Sequence, residues 1–338
     1  MQRLQISVVI PTCNRRERLI LLLQNLNRLS YPLEEVIVVD SGSEELLSEE
    51  YLKFNNLRIQ YINSEQSVCI QRNTGIQKAV SPWIFLCDDD IEMPPDYLDN
   101  LVCHINENKD AGAVSGVWLQ QEQGKRVSSY PVHSGHMLLW KFIFQQGIWG
   151  EIEYEGKNPI LTKIKKYYQR KGNHISKAGW PVNTFFSDDY FSCPVYSLGA
   201  SLVKKEWLLQ SPYDEVLDRY GIGDNYGVIA GFPFQMVHVT NKTSVYHHRE
   251  PTNRLKSSLQ YYRRVLALDY FRRIRKTSSN VKKSWQVWSL VGNVLSFLIT
   301  GQAGMAKVTL IAISKILMNK NPYIRARKQK RKVAEPKP

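Results

Sequence analysis

The sequence has no CxxC pair and only five cysteines, at positions 13, 69, 87, 103 and 193. That odd, scattered set argues against a disulfide framework or a cysteine-based zinc site and fits a reducing compartment. No apolar run reaches the roughly 20 residues a helix needs to cross a bilayer; the stretch SWQVWSLVGNVLSFLIT, residues 284–300, falls short of it. The opening MQRLQISVVIPT has too short an apolar run for a secretory signal and reads as a first strand. No G-x-G-x-x-G follows that strand, which disfavours a nicotinamide-binding Rossmann enzyme. Acidic residues are scarce in one region only. Residues 253–338 carry 20 Lys and Arg against 2 Asp and Glu, a net +18, whereas residues 1–252 carry 25 against 29, a net −4. The whole-chain charge of +14 is therefore a property of the tail, and it points to an anionic partner there, nucleic acid or anionic lipid.

What is present is a globular composition: 338 residues, 43% hydrophobic and 22% charged. Apolar runs at 6–11, 35–40, 57–63, 83–88 and 111–119 read as strands. Segments at 15–29, 43–54, 67–80 and 95–108 between them read as helices. This alternation predicts βαβ units and a mostly parallel sheet, with ligands bound beyond the carboxyl ends of the strands. Residues 120–195 read as loops and short strands over the sheet edge. A strand running into a helix is expected over 195–210, a turn leading to a helix over 213–232, and strands over 232–248. The tail reads as basic amphipathic helices at 255–276, 284–300 and 305–320, followed by a bare basic run at 324–332. Such helices suit a membrane interface; they equally suit completion of the core with their basic faces solvated.

The chemistry concentrates in WIFLCDDDIEMPPDYL, where the fourth strand runs into three aspartates. On a continuing strand Asp88 and Asp90 share one face and Asp89 points away. Two carboxylates there make a site for Mg²⁺ or Mn²⁺, which prefer carboxylate oxygen and leave positions for substrate phosphates. The alternative is a solvated loop in which Asp90 caps the next helix. Asp40 ends the second strand, where an acid can contact a nucleoside or cap a helix. Of the pair His247–His248, one can serve as a metal or phosphate ligand, with His247 placed beside Asp88 and Asp90, or the pair can be purely structural. Asp188 and Asp189 can touch acceptor hydroxyls or cap a turn. Arg254, Arg263 and Arg264 lie where a cation could clamp a diphosphate.

Six segments in order resemble glycosyltransferase family 2: VVIPTCNR (8–15), VIVVDSGSEE (36–45), QRNTGI (71–76), IFLCDDDIEMPPDYL (84–98), SLGASLVKKEWL (197–208) and YDEVLDRYGIGDNYGV (213–228). The resemblance covers roughly residues 5–250. It implies a GT-A fold, an α/β architecture with a Rossmann-like, mostly parallel central sheet flanked by helices, here followed by a C-terminal basic helical extension. The expected division is a glycosyltransferase domain at 1–252 and a basic amphipathic region at 253–338. By resemblance, Pro11, Thr12, Asn14 and Arg15 form the first nucleotide-binding loop, Asp40 contacts the base, and Arg72 and Asn73 close over the nucleotide. Asp88 and Asp90 form the D-x-D pair, with Asp90 the direct metal ligand, and Asp89 joins the nucleotide-sugar side. The late acidic pair of the family, usually Glu-Asp, reads Asp224–Asn225. Either Asp224 takes the base role from one position earlier, or the site is altered and Asp224 is a structural turn carboxylate; an amide cannot take a proton, so Asp224 is the expected general base.

The activity so implied is inverting transfer of a sugar from a nucleotide-diphosphate sugar to a hydroxyl of a glycan or lipid-linked acceptor, assisted by Mn²⁺ or Mg²⁺. The tail is expected to bind an anionic membrane surface, placing the chain in the cytoplasm at the inner face of the membrane. A sugar-nucleotide nucleotidyltransferase is the alternative, although PTCNRRER lacks a glycine-rich phosphate loop. A nucleic-acid-binding protein is a third reading, disfavoured because the body lacks aromatic-basic interleaving.

Overall fold

The computed structural model describes residues 2–42, 53–122, 124–186, 189–217, 219–248, 255–275 and 281–334. Most of the helix expected at 43–54, together with Asp188 and Arg254, lies outside this set.

Four strands, β1 (Ile6–Thr12), β2 (Glu35–Asp40), β3 (Ile59–Asn63) and β4 (Trp83–Cys87), form a parallel half-sheet in the order β4-β1-β2-β3. Their side chains alternate between two apolar layers. Val8, Ile10, Val36, Val38 and Phe85 face one layer, with helices α1 (Arg16–Leu26) and α3 (Tyr97–Glu107). Val9, Ile37, Val39, Ile84 and Leu86 face the other, with α2 (Val68–Lys78). Ser67 caps α2, its hydroxyl accepting from the Ile70 amide at 3.5 Å.

The short strand β5 (Ile91–Glu92) follows the aspartates, and the expected fifth strand is β6 (Ala113–Glu122), which carries the small β7 (Lys125–Val127). β6 is not the neighbour of β4. An antiparallel strand, β12 (Ala200–Lys204), is inserted between them. Beyond β6 lie β13 (Val237–His247), parallel to it, and the antiparallel edge strand β11 (Tyr190–Cys193). The sheet is thus parallel on the β4-β1-β2-β3 side and mixed on the other.

The region at 120–195 holds more helix than its composition suggests. It contains α4 (Gly135–Ile143), α5 (Pro159–Lys171) and a small sheet of β8 (Ile148–Trp149), β9 (His174–Ile175) and β10 (Pro181–Asn183). The Asn158 side chain accepts from the amides of Ile160 and Leu161, and Pro159 opens α5 where its missing N–H costs nothing. Next come α6 (Lys205–Gln210) and α7 (Asp224–Ile229).

The tail forms α8 (Ser257–Ile274), α9 (Lys283–Ile299), α10 (Ala303–Leu317) and α11 (Pro322–Ala334). The bare basic run is therefore helical. These helices do not stand apart: Leu266, Phe271, Leu290, Ile316 and Tyr323 share one apolar cluster with β1, β2 and α2. Fully buried Asp269 neutralises Arg272 at 2.6 Å and Arg273 at 3.0 Å and accepts from Asn321 at 2.9 Å. Arg327 and Lys330 tie α11 to Asp214 and Glu215 of the body at 3.0 and 2.6 Å. Part of the tail's charge is thus spent inside the fold.

Candidate active site

A cleft of about 650 Å³ opens at the carboxyl ends of β1 and β4. Pro11, Thr12 and Arg15 line it from the loop after β1, Asp88, Asp89 and Asp90 from the loop after β4, and Arg72 from α2. Asp224 enters from the first turn of α7, and His247 from the end of β13. This is where open α/β sheets gather their ligands.

The three aspartates do not alternate as a strand would arrange them. β4 ends at Cys87, the chain turns, and each carboxylate takes a different partner. Asp88 Oδ1 accepts from Arg72 Nη2 at 2.6 Å. Asp89 accepts from Thr12 Oγ1 and Arg15 Nη1, both at 2.8 Å. Asp90 Oδ1 meets His247 Nε2 at 3.2 Å, and its Oδ2 lies 3.5 Å from Arg15 Nη1. β5 pairs Ile91 with His247, which sets that imidazole against Asp90. His248 turns away to Glu92, 2.9 Å distant. The mutual repulsion of three adjacent acids is thus offset by two arginines. Burial pushes the Asp89 carboxyl up to about 6, with Arg15 opposing the shift. Gly199 makes room for Asp88, whose carboxylate would lie 2.1 Å from a Cβ there.

Arg72 is itself buried. Its Nη1 donates to Asp224 Oδ2 at 2.5 Å while Nη2 holds Asp88. Burial works against its charge, but Asp88, Tyr213 and Asp224 more than offset that, and the guanidinium stays protonated. Asp224 also accepts from the Asn225 amide at 2.6 Å. Burial raises its pKa, against the pull of Arg72 and the Asn225 N–H. Two left-handed glycines, Gly221 (φ 59°) and Gly223 (φ 94°), shape the turn that delivers Asp224 to the cleft.

Three expected nucleotide contacts do not line the cleft: Asn14, Asp40 and Asn73. The Asp40 carboxylate accepts from the Gly42 amide at 2.7 Å and from the Tyr61 hydroxyl. Asn73 bonds the backbone of Tyr213 through both ends of its amide, at 2.9 and 3.0 Å. Arg264 lines the cleft, and Arg263 sits 5.5 Å over the Tyr220 ring. Sequence reasoning missed Gln71, Trp149, Trp180 and Tyr220. Gln71 ties the ends of β1 and β2 by donating to Thr12 O and Val39 O at 2.7 and 2.8 Å. Its place beside Arg72 in QRN was the available signal; the aromatic residues had none, because only the fold brings them here.

Asp90 and His247 are the candidate pair for a divalent cation. Adjacent ligands around a six-coordinate ion with bonds near 2.1 Å stand roughly 3 Å apart, close to the 3.2 Å between Asp90 Oδ1 and His247 Nε2. One carboxylate and one imidazole leave positions for diphosphate oxygens and water. Among the described residues no group of three or more His, Cys, Asp or Glu could hold a metal by itself.

The family model for glycosyl transferase family 2 matches residues 7–175. The chain belongs to that family. It is 31% identical over 135 residues to the uncharacterized glycosyltransferase YwdF of Bacillus subtilis, covering 38% of this chain and 48% of that one. It is 34% identical over 103 residues to WcaA of Escherichia coli, a glycosyl transferase provisionally named for colanic acid biosynthesis, covering 29% and 37%. The chain thus spans less than half the length of these relatives. Among solved structures, the mannosyltransferase PcManGT of Pyrobaculum calidifontis, in complex with GDP-Man and Mn²⁺, superposes with a TM-score of 0.52. That alignment covers 95% of this chain and 89% of that one at 15% identity, and it supports the GT-A fold.

Proposed function

We propose that this chain transfers a sugar, with inversion, from a nucleotide-diphosphate sugar to an acceptor hydroxyl. The observation that carries the reading is the convergence of Thr12, Arg15, Asp90, His247 and Asp224 on one cleft at the strand ends. Thr12 and Arg15 form the nucleotide side, where Arg15 offers a cation 15% exposed. Asp90 and His247 would hold Mn²⁺ or Mg²⁺, which when bound offsets charge developing on the leaving diphosphate. Asp224 takes the proton from the acceptor hydroxyl. That oxygen forms its bond to the anomeric carbon as the opposite bond to the diphosphate breaks, and the nucleoside diphosphate departs with the electron pair. Arg72 fixes Asp224 and Asp88, so it is a positioning residue. Nucleoside diphosphate release from a panel of nucleotide sugars, with hydroxyl-bearing glycans present, tests the assignment. Turnover by the wild type and its loss in Asp224→Asn support it; equal turnover by both removes Asp224 from the role of base.

A specific observation also favours membrane-surface attachment. Residues 270–334 contain no acid. The outer faces of α9 and α10 expose Leu295, Leu298, Ile299, Leu310 and Ile311, Leu298 at 58% and Ile299 at 76%. No described helix is long and apolar enough to cross a membrane. An apolar ridge among lysines suits the interface of an anionic leaflet, here the inner face of the membrane. Co-sedimentation with anionic vesicles, lost in Leu298→Asp/Ile299→Asp, is expected. Retention on RNA or DNA instead of vesicles would make the partner nucleic acid.

A further inference from the structure

The cleft has a wall that the reaction scheme leaves unused. Trp149 of β8 and Trp180, just before β10, both line it and are half-buried. Each indole N–H is already committed to the protein. Trp149 Nε1 donates to Ser128 O at 2.8 Å, and Trp180 Nε1 donates to the fully buried Ser289 hydroxyl of α9 at 2.9 Å. Trp149 stacks on Tyr196, centroids 5.6 Å apart and planes at 25°. The Tyr196 hydroxyl in turn accepts from the Trp118 amide at 2.9 Å. These rings are therefore locked, and what they offer the cleft is carbon surface.

Their position relative to Asp224 is fixed by α8. Gly223, beside Asp224, abuts Ala267; Gly179, beside Trp180, abuts Leu268. On its other side Asp224 is joined through Arg72 to Asp88 and the aspartate loop. Asp224 and the two tryptophans thus line one cleft and are anchored on consecutive residues of α8. Asn225 lines the same cleft, and its carboxamide oxygen is buried with no hydrogen-bond partner among the described residues. A buried acceptor without a donor costs stability unless a ligand supplies one.

We propose that Trp149, Trp180 and Asn225 form the acceptor subsite and that the group seated there is a pyranose ring, so that the acceptor is a carbohydrate. This rests on the glycosyl-transfer reading above. One face of a pyranose presents C–H groups that meet the electron-rich face of an indole, and its hydroxyls donate to a carboxamide oxygen. Two indoles and one unpaired acceptor on the residues of one cleft match a ring that is apolar on its faces and hydroxylated at its rim.

Ligand-observed saturation-transfer NMR on the full chain tests this, using methyl glucoside, methyl galactoside and methyl N-acetylglucosaminide, with sorbitol and farnesyl phosphate as controls. At least one glycoside is expected to bind through the C–H protons of one ring face, with sorbitol silent. Trp180→Ala should weaken that binding by about tenfold, the scale of a buried aromatic anchor. Trp180→Phe, which keeps a ring but loses the bond to Ser289, should restore most of it; this variant and the melting temperature of each protein separate lost stacking from lost fold. Absence of glycoside binding to the wild type, binding of farnesyl phosphate alone, or equal glycoside affinity in wild type and folded Trp180→Ala would overturn the proposal. Nucleotide binding by thermal shift in the same samples reports on the donor side. Glycoside binding without nucleotide binding would sink the transfer reading while leaving a carbohydrate subsite.

Discussion

Arg72 donates to Asp224 at 2.5 Å through one terminal nitrogen and to Asp88 at 2.6 Å through the other. A single buried guanidinium therefore links the aspartate loop to the expected base, 152 residues distant in sequence from Arg72 itself. Two neighbouring carboxylates repel, and the guanidinium between them offsets that repulsion. It also fixes Asp224 within the cleft, at the position proposed for the acceptor hydroxyl.

Removing that cation should disturb the base before it disturbs the donor. Arg72→Ala leaves Asp88 and Asp224 facing each other, at a cost on the order of 3–5 kcal/mol of folding stability. Arg72→Lys keeps the charge but cannot hold both acids bidentately. We expect Arg72→Lys to fold, to bind nucleotide, and to lose most of kcat; urea unfolding and initial rates check this.

Asp224 should set the acidic limb of the pH–rate profile. Its pKa is raised, chiefly by burial, so activity should fall on acidification at a pH above the ordinary aspartate value of about 3.9. Arg72→Lys weakens the opposing pull and should move that limb further up. A limb in wild type at or below the ordinary aspartate value contradicts the assignment. Asp224→Asn should reduce kcat by about 10²–10⁴ with little change in donor affinity.

Asp89 links pH to stability. Its folded carboxyl is raised to about 6, above its unfolded value, so the native state holds the proton more tightly. The stability it contributes is fully present below the unfolded pKa and is lost as pH rises through about 6. With Arg15 removed, the charged form at higher pH loses its partner. Arg15→Ala should therefore cost more stability at pH 8 than at pH 5, by urea titration at both.

The tail should prove integral to the fold. Asp269→Ala leaves Arg272 and Arg273 without their buried acid, and a loss of about 3–5 kcal/mol is expected. Thermal unfolding should show one transition, lowered as a whole. A separate early transition for the tail would contradict the shared core.

Much of the parallel half-sheet is legible from sequence, because β1, β2 and β4 are short apolar runs and α1 shows leucines at helical spacing. What escapes is non-local. β12 lies between β4 and β6 through pairings that join residues over 80 positions apart, such as Ser201 with Ser115. The basic tail reads as a membrane-seeking extension by charge, yet its inner faces complete the core around Leu266 and Phe271, and buried Asp269 absorbs two arginines. The aspartate triplet is visible at once, but its aim is not: the turn after Cys87 cancels strand alternation and sends Asp88 to Arg72, Asp89 to Thr12 and Arg15, and Asp90 to His247. Asp40 ends β2 outside the cleft's lining, its carboxylate accepting from Tyr61 and Gly42, a setting no local pattern announces.

The proposed reaction requires a nucleotide-diphosphate site that depends on a metal held by Asp90 and His247. Thermal shift with UDP, GDP, ADP, CDP and dTDP, each with and without Mn²⁺, tests it most directly in wild type, Asp90→Ala, His247→Ala and Asp224→Asn. At least one nucleotide should raise the melting temperature of the wild type and of Asp224→Asn only when Mn²⁺ is present, and that shift should vanish in Asp90→Ala and shrink in His247→Ala. No shift with any nucleotide, or a full Mn²⁺-dependent shift in Asp90→Ala, would contradict it.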